Sequence, residues 1–267
     1  MKRIANERAY VEHMLEKKEI NEKRPGKDIN SLIKYYYEMD KTITKEELQE
    51  RVSQTLLEMI NNEKAVKRWQ VSIKGYINDF MSYADTFRGL SHVEYIEITE
   101  NEVNRIKELK NHKLEYTAFS LLVYLKVRNG ITGKTDNIYC PSGEEDVKLM
   151  KKISGLKVTF KEFALLIKQL QDLGYTSNGI GGAVSCKLNY VDINSKAIII
   201  VKDFSAESIP LYYTREIDGG RIIYCSECGK LVHITNSQDT SRKYCKKCYD
   251  KKAQEVKNEY HRRTRSN

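Results

Sequence analysis

Cys225, Cys228, Cys245 and Cys248 form two Cys-x-x-Cys pairs separated by residues 229–244, and thiolates at that spacing bind metal. Two intervening residues let the chain turn so that both sulfurs of a pair approach one ion at about 2.3 Å. Two such half-sites complete a tetrahedral four-thiolate set, which leaves no open position for water or substrate. The chemistry expected of these residues is therefore one structural Zn2+ per chain. Gly229 follows the first pair, where a knuckle turn draws on backbone freedom that other residues lack. A redox dithiol would account for one pair and leave the other unexplained. A disulfide framework requires an oxidising compartment, whereas the chain opens on Met1-Lys-Arg-Ile-Ala-Asn-Glu-Arg, a charged amphipathic segment without the apolar core of a secretory signal. His233 falls in an expected strand and reads as an ordinary packed or exposed histidine. Cys140 and Cys186 have no close cysteine partner in the sequence and read as small buried hydrophobes.

The residues between the pairs suffice for a hairpin, with Leu231-Val-His-Ile234 running out, residues 236–240 turning, and Arg242-Lys-Tyr244 returning. On these features residues 225–248 resemble the zinc ribbon class. From residue 242 onward the chain carries ten bases against three acids, while the other 241 residues are close to neutral within a total of +9. A basic segment of this kind attracts polyanions by neutralising phosphates and releasing counterions. Its candidate contacts are Arg242, Lys243, Lys246, Lys247, Lys251, Lys252, Arg262 and Arg263. A solvated terminus is the competing reading.

The elements that must position this chemistry begin with a helical region, residues 1–90. Ile4, Val11, Met14, Leu15 and Ile20 share one face of a first helix, which Arg24-Pro25-Gly26 interrupts. A second helix starts near Asp28 and buries Ile29, Leu32, Ile33 and part of the run Tyr35-Tyr36-Tyr37. Thr44-Lys-Glu-Glu47 has capping-box spacing ahead of Leu48, Val52, Leu56, Met59 and Ile60. Trp69, Ile73, Ile77 and Phe80 continue the pattern. The tyrosines invite base stacking, but tyrosines at helical spacing beside Leu32 and Ile33 read as core.

Residues 91–205 alternate between helix and strand. A strand at 93–98 precedes a capping box at Thr99-Glu-Asn-Glu102 and a helix using Val103, Ile106 and Leu109. A longer helix turns Leu114, Ala118, Leu121, Leu122 and Leu125 inward and ends at Gly130. Ile138-Tyr-Cys140 is extended, Ser142-Gly-Glu-Glu145 caps a helix bearing Val147, Met150 and Ile153, and Thr159-Phe-Lys-Glu162 caps another bearing Phe163, Leu166, Ile167, Leu170 and Leu173. Strands at 183–191 and 197–202 then form a hairpin about residues 192–195. Residues 112–203 resemble the winged-helix superfamily, most clearly in residues 154–175. That resemblance implies a recognition helix at 160–173 entering a DNA major groove, with Lys157, Lys161, Lys168 and Gln169 as contacts and the hairpin as a wing. Glu162 and Asp172 on that helix, and its lack of arginine, count against base readout. Ser177-Asn-Gly-Ile-Gly-Gly182 lacks the ending of a phosphate-binding loop and reads as a flexible approach to the wing.

The expected fold class is mainly α with small β, divided into a helical region (1–90), a winged-helix-like α+β domain (91–205), a zinc ribbon (220–250) and a basic tail (251–267). The apolar stretch at 119–127 is too short to cross a bilayer and contains Lys126, so no membrane is expected and the location is read as cytoplasmic. No catalytic motif is present, and the five histidines form no helix-spaced pair. A non-enzymatic protein is expected. The combination, above all Tyr224-Cys-Ser-Glu-Cys-Gly-Lys-Leu-Val with Lys243-Tyr-Cys-Lys-Lys-Cys-Tyr249, is similar to uncharacterised proteins of bacteriophages and mobile elements of low-GC bacteria. The leading expectation is nucleic-acid binding, with DNA favoured. The rival is an adaptor or inhibitor that binds a host protein.

Overall fold

Apolar residues at three- and four-residue steps generate most of the architecture, and the protein is mainly α with small β. The computed structural model describes residues 5–22, 25–134, 136–179, 185–218, 222–233 and 243–265, the last seven as backbone only. The chain divides into two compact units, Lys2–Glu94 and Tyr95–Asn267.

Among the described residues the first unit has four helices, α1 (Glu7–Lys17), α2 (Gly26–Met39), α3 (Lys45–Ile60) and α4 (Glu63–Met81), followed by a short 3-10 turn. Its core takes Val11 and Met14 from α1, Ile29, Leu32 and Ile33 from α2, Leu48, Val52 and Leu56 from α3, and Ile73, Ile77 and Phe80 from α4. Trp69, Leu15 and Ile20 pack against that core while partly buried, and Ile4 lies outside the described residues. The capping box at Thr44 is formed in both directions. Tyr36 and Tyr37 are buried, and Phe80 meets Tyr37 and Phe87 edge to face. The tyrosine run serves packing.

The second unit is organised on α6 (His112–Thr132), which follows β1 (Ile96–Thr99) and α5 (Glu100–Lys107). Ten consecutive residues of α6, 116–125, are buried; a helix apolar on all sides belongs in a core. Packed on it are β1, α5, β2 (Tyr139–Pro141), α7 (Glu144–Ser154), α8 (Phe160–Asp172) and α9 (Ile209–Asp218). The helix passes through Gly130 and ends at Gly133, whose φ of 68° is left-handed. Gly130 is the cap expected from sequence, but Ile131 and Thr132 continue the helix, and the later glycine supplies the positive φ. The Ser142 box is not formed either: α7 is capped by Gly143 without a side-chain bond. Glu144, Glu145 and Asp146 in its first turn complement the positive helix end instead. The boxes at Thr99 and Thr159 are both formed. Leu109 lies past the end of α5, half-buried.

The strands pair differently from the expectation. β3 (Thr176–Asn178) and β4 (Ser185–Leu188) are antiparallel neighbours in a three-stranded sheet of order β2-β4-β3, while β5 (Ala197–Val201) pairs with β1. The hairpin expected of 183–191 with 197–202 is therefore absent, and the glycine-rich segment after Ser177 is the connection inside the β3/β4 hairpin. Its residues 180–184 lie outside the described ones. One physical cause is evident: β1 presents Ile96 and Ile98 opposite Val201 and Ile199, which are all buried. The strand expected at 93–98 is confined to β1. Pro141 lies on the edge strand β2, where a missing N–H is tolerated.

Gly155 ends α7 at φ 71°, and a Cβ there would lie 2.7 Å from Cγ of Pro210 at the start of α9. Both the backbone conformation and the contact resist a side chain, so Gly155→Ala is expected to cost about 2 kcal/mol. Urea denaturation monitored by circular dichroism measures it, and an unchanged midpoint would contradict the packing described.

Candidate metal centre and nucleic-acid interface

The first cysteine pair sits in the turn of a hairpin. β6 (Ile222–Tyr224) and β7 (Leu231–His233) pair antiparallel with Tyr224 opposite Leu231, which leaves residues 225–230 to close the knuckle. Cys225 N–H donates to the Lys230 carbonyl at 2.7 Å and Gly229 N–H to the Cys225 carbonyl at 2.8 Å. β7 thus pairs with the strand before the knuckle; of the expected partner at 242–244, Arg242 lies outside the described residues and Lys243 and Tyr244 are in no strand.

The second pair comes from a helix. Cys245 immediately precedes α10 (Lys246–Arg265), and Cys248 lies in its first turn. Tyr249 N–H donates to the Cys245 carbonyl at 2.9 Å, and Cys248 N–H points at Cys245 Sγ at 3.4 Å. Ser226 N–H donates to the Lys243 carbonyl at 2.9 Å, and Lys252 Nζ reaches Glu227 at 2.9 Å and covers the Tyr244 ring. These bonds join knuckle and helix. Lys252 in turn holds Glu227 below the usual carboxylate range.

All four Sγ atoms lie within 4.8 Å of one another, and Cys228 and Cys245 are 3.8 Å apart. A tetrahedron with bonds of about 2.3 Å has edges of about 3.8 Å. The four cysteines therefore lie together as a site able to hold a metal ion. His233 is exposed on β7 and is not in the cluster. Burial raises the Cys225 thiol, but N–H donors of Cys245, Cys228 and Glu227 outweigh it and hold the thiol at about 6. Cys248 is pushed up to about 12, first by hydrogen bonding to Cys245 and then by burial. Adjacent thiolates repel, so a cation is needed for all four to be ionised together. The positive end of α10 adds to the field that favours thiolate there.

No family model, curated protein or solved structure matches this chain. The functional reading rests on the site alone.

The candidate nucleic-acid contacts fall on two helices. Lys161, Lys168 and Gln169 are exposed on α8, and Lys157 just before it. Lys168 is 3.1 Å from Asp172 and 3.4 Å from Gln171. Leu165 on α8 is 54% exposed, and Leu173, expected inside, follows the last helical residue and is 57% exposed. On the C-terminal side Lys243, Lys246, Lys247 and Lys251 are exposed and Lys252 is half-buried in its clamp. Lys251 pairs with Glu255 at 3.9 Å. Arg242 lies outside the described residues, and of Arg262 and Arg263 only the helical backbone is described. Residues 251–265, expected as a tail, continue α10. The reason is local: no proline or glycine interrupts residues 246–265, and i,i+4 contacts such as Lys251 with Glu255 and Gln254 with Asn258 support the helix.

Two arrangements have no motif in the sequence. Glu102 and Lys126 form a buried ion pair at 2.8 Å, and Cys140 stands opposite Cys186 across β2 and β4. Neither pair is close in sequence. The capping box marks Glu102 only as a local helix partner.

Among the described residues no helix is long and apolar enough to cross a membrane.

Proposed function

We propose that the protein is a non-enzymatic nucleic-acid-binding protein, with DNA favoured, in which one structural zinc ion folds the C-terminal module and α10 supplies phosphate contacts. The observation that carries this reading is the placement of the four-cysteine cluster at the start of a 20-residue helix with eight bases against three acids. Cys225, Cys228, Cys245 and Cys248 would hold the zinc, whose role is to tie the knuckle to the helix. Four thiolates favour a soft, tetrahedral ion over hard cations that prefer oxygen. The reading places the chain in a reducing, cytoplasmic setting, where thiols persist. The order α6, β2, α7, α8, β3, β4 and the sheet order β2-β4-β3 support a winged-helix-like unit in which α8 is the recognition helix.

A protein partner is the second reading, and a specific observation favours it. Leu165 on α8 and Leu173 just past its end are exposed, and the connection at 179–184 has no charged residue. A major-groove helix and its wing ordinarily bring cations to phosphates.

Duplex affinity measured at several salt concentrations separates the two. Lys246→Gln/Lys247→Gln/Lys251→Gln is expected to weaken binding and to flatten the slope of log K against log salt by about 2 to 3 units, since each phosphate neutralised contributes about 0.9. An unchanged slope would remove α10 from the interface. Absence of binding near 0.1 M salt, where exposed charges are screened beyond about 10 Å, would favour the protein partner.

A further inference from the structure

Cys140 and Cys186 face each other directly in the antiparallel pairing of β2 with β4. The ladder's phase is set by Leu188 N–H, which donates to the Ile138 carbonyl at 2.9 Å. Hydrogen-bonded and non-bonded pairs alternate along such a ladder, so Cys140 and Cys186, two positions on, form a hydrogen-bonded pair with Cα atoms about 5.5 Å apart. Disulfides span about 4.4–6.8 Å between Cα atoms, but they hold Cβ atoms about 3.8 Å apart where a hydrogen-bonded pair holds them about 5.5 Å apart. Closure therefore strains the ladder, which offsets part of the gain from loop closure and leaves the bond readily reducible. Directly opposed residues project to the same side of a sheet, and both cysteines project into the unit's interior. Cys140 is fully buried, with Sγ 3.7 Å from Met150 Sδ and 3.8 Å from the Leu121 carbonyl, whereas Cys186 keeps 8% of its surface. Hydrogen bonding between the thiols lowers Cys186 and raises Cys140. One sulfur is thus disposed to attack and its neighbour to resolve.

We infer that Cys140 and Cys186 are a reversible dithiol–disulfide site whose two-electron oxidant is a hydroperoxide. The Cys186 thiolate attacks a peroxide oxygen, the O–O bond breaks, and Cys186 becomes a sulfenic acid as hydroxide leaves and takes up a proton. Cys140 then attacks the Cys186 sulfur, forming the S–S bond, and the sulfenic oxygen departs as water with the Cys140 proton. With hydrogen peroxide, two thiols and one peroxide give one disulfide and two waters. A dithiol reductant reverses the step by exchange. The bond closes a loop that contains α7, α8 and β3, so oxidation restrains that segment in the unfolded chain and stabilises the unit. This site is independent of the metal cluster and of the proposed function.

The test uses the full chain loaded with one equivalent of zinc and treated with dilute hydrogen peroxide. Thiols are then blocked with iodoacetamide, and the protein is digested without reduction for mass spectrometry. The expected product is a Cys140 peptide joined to a Cys186 peptide and lighter by two hydrogens, with zinc retained and the link removed by dithiothreitol. The melting temperature should rise on the order of 5 °C. Cys140→Ala should instead leave a Cys186 sulfenic acid that dimedone labels. Recovery of both residues as alkylated thiols while zinc is lost would overturn the inference, and the wild-type chain alone decides this if the variant does not fold.

Discussion

Cys245→Ser is expected to abolish stoichiometric metal binding and to unfold the knuckle together with the first turns of α10. Cys245 occupies the junction. Its sulfur lies 3.8 Å from Cys228 and accepts the Cys248 N–H, and its carbonyl receives the Tyr249 N–H that starts the helix. The hairpin that carries the other pair is only two three-residue strands, too little to be stable without help. Metal binding to four thiolates supplies on the order of 10 kcal/mol in small zinc modules, far more than the helix can gain from its few i,i+4 pairs at about 0.3–0.5 kcal/mol each. Wild-type protein should therefore hold one zinc per chain, measured by metal analysis after dialysis, and the variant should hold none. One tightly retained zinc in the variant would contradict the site.

The same cluster predicts a pH dependence. Zinc requires thiolates, so any thiol still protonated must release its proton on binding. At pH 7 Cys225, held at about 6, is already ionised, whereas Cys248, pushed up to about 12, is not. Affinity is therefore expected to rise with pH, by about tenfold per unit for each proton displaced. Below pH 6 Cys225 protonates as well, and the dependence steepens. A flat affinity between pH 6 and 8 would contradict the coupling.

Glu102→Ala is expected to destabilise the second unit by about 3–5 kcal/mol, because it leaves Lys126 buried without its partner. Glu102 is fully buried and Lys126 nearly so. One carboxylate oxygen of Glu102 accepts the Thr99 N–H at 2.8 Å and the Lys126 ammonium at 2.8 Å, and the other accepts the Asp192 N–H at 3.0 Å. A single side chain thus closes the start of α5, neutralises a cation on α6 and pins the segment that leads to β5. Replacing both partners by apolar residues of similar volume, as in Glu102→Leu/Lys126→Leu, should recover much of the loss, since no buried charge is then stranded. Urea denaturation of the two variants reads the difference. A loss under 1 kcal/mol in Glu102→Ala would show that the pair is hydrated.

What is legible in the sequence is local. Helices α1 to α4 follow from three- and four-residue steps such as Leu48, Val52 and Leu56, and three capping boxes locate helix starts because a Thr and a Glu three residues on satisfy each other. Ser142 has the same spacing and fails, because Gly143 begins its helix one residue too late for the box. Strand partners are the weak point. Residues 197–202 read equally well as a partner for the preceding strand, and only the three-dimensional position of β1, a hundred residues earlier, decides the pairing. The cysteine cluster is legible from spacing, yet the helix that carries its second half reads as a tail when charge is weighed above the absence of any helix breaker. Cys140 with Cys186 and Glu102 with Lys126 have no signal, because register and burial join them across long separations.

The most direct test of the central claim is the affinity of the full chain for duplex DNA, measured at about 0.1 M salt with the zinc-loaded protein and again after zinc is removed by a chelator. If metal folds the module that presents α10, the zinc-loaded form binds and the metal-free form loses at least tenfold in affinity, recovered on adding zinc. Equal affinity with and without zinc would contradict the account, and no binding by either form would assign the module to a protein partner.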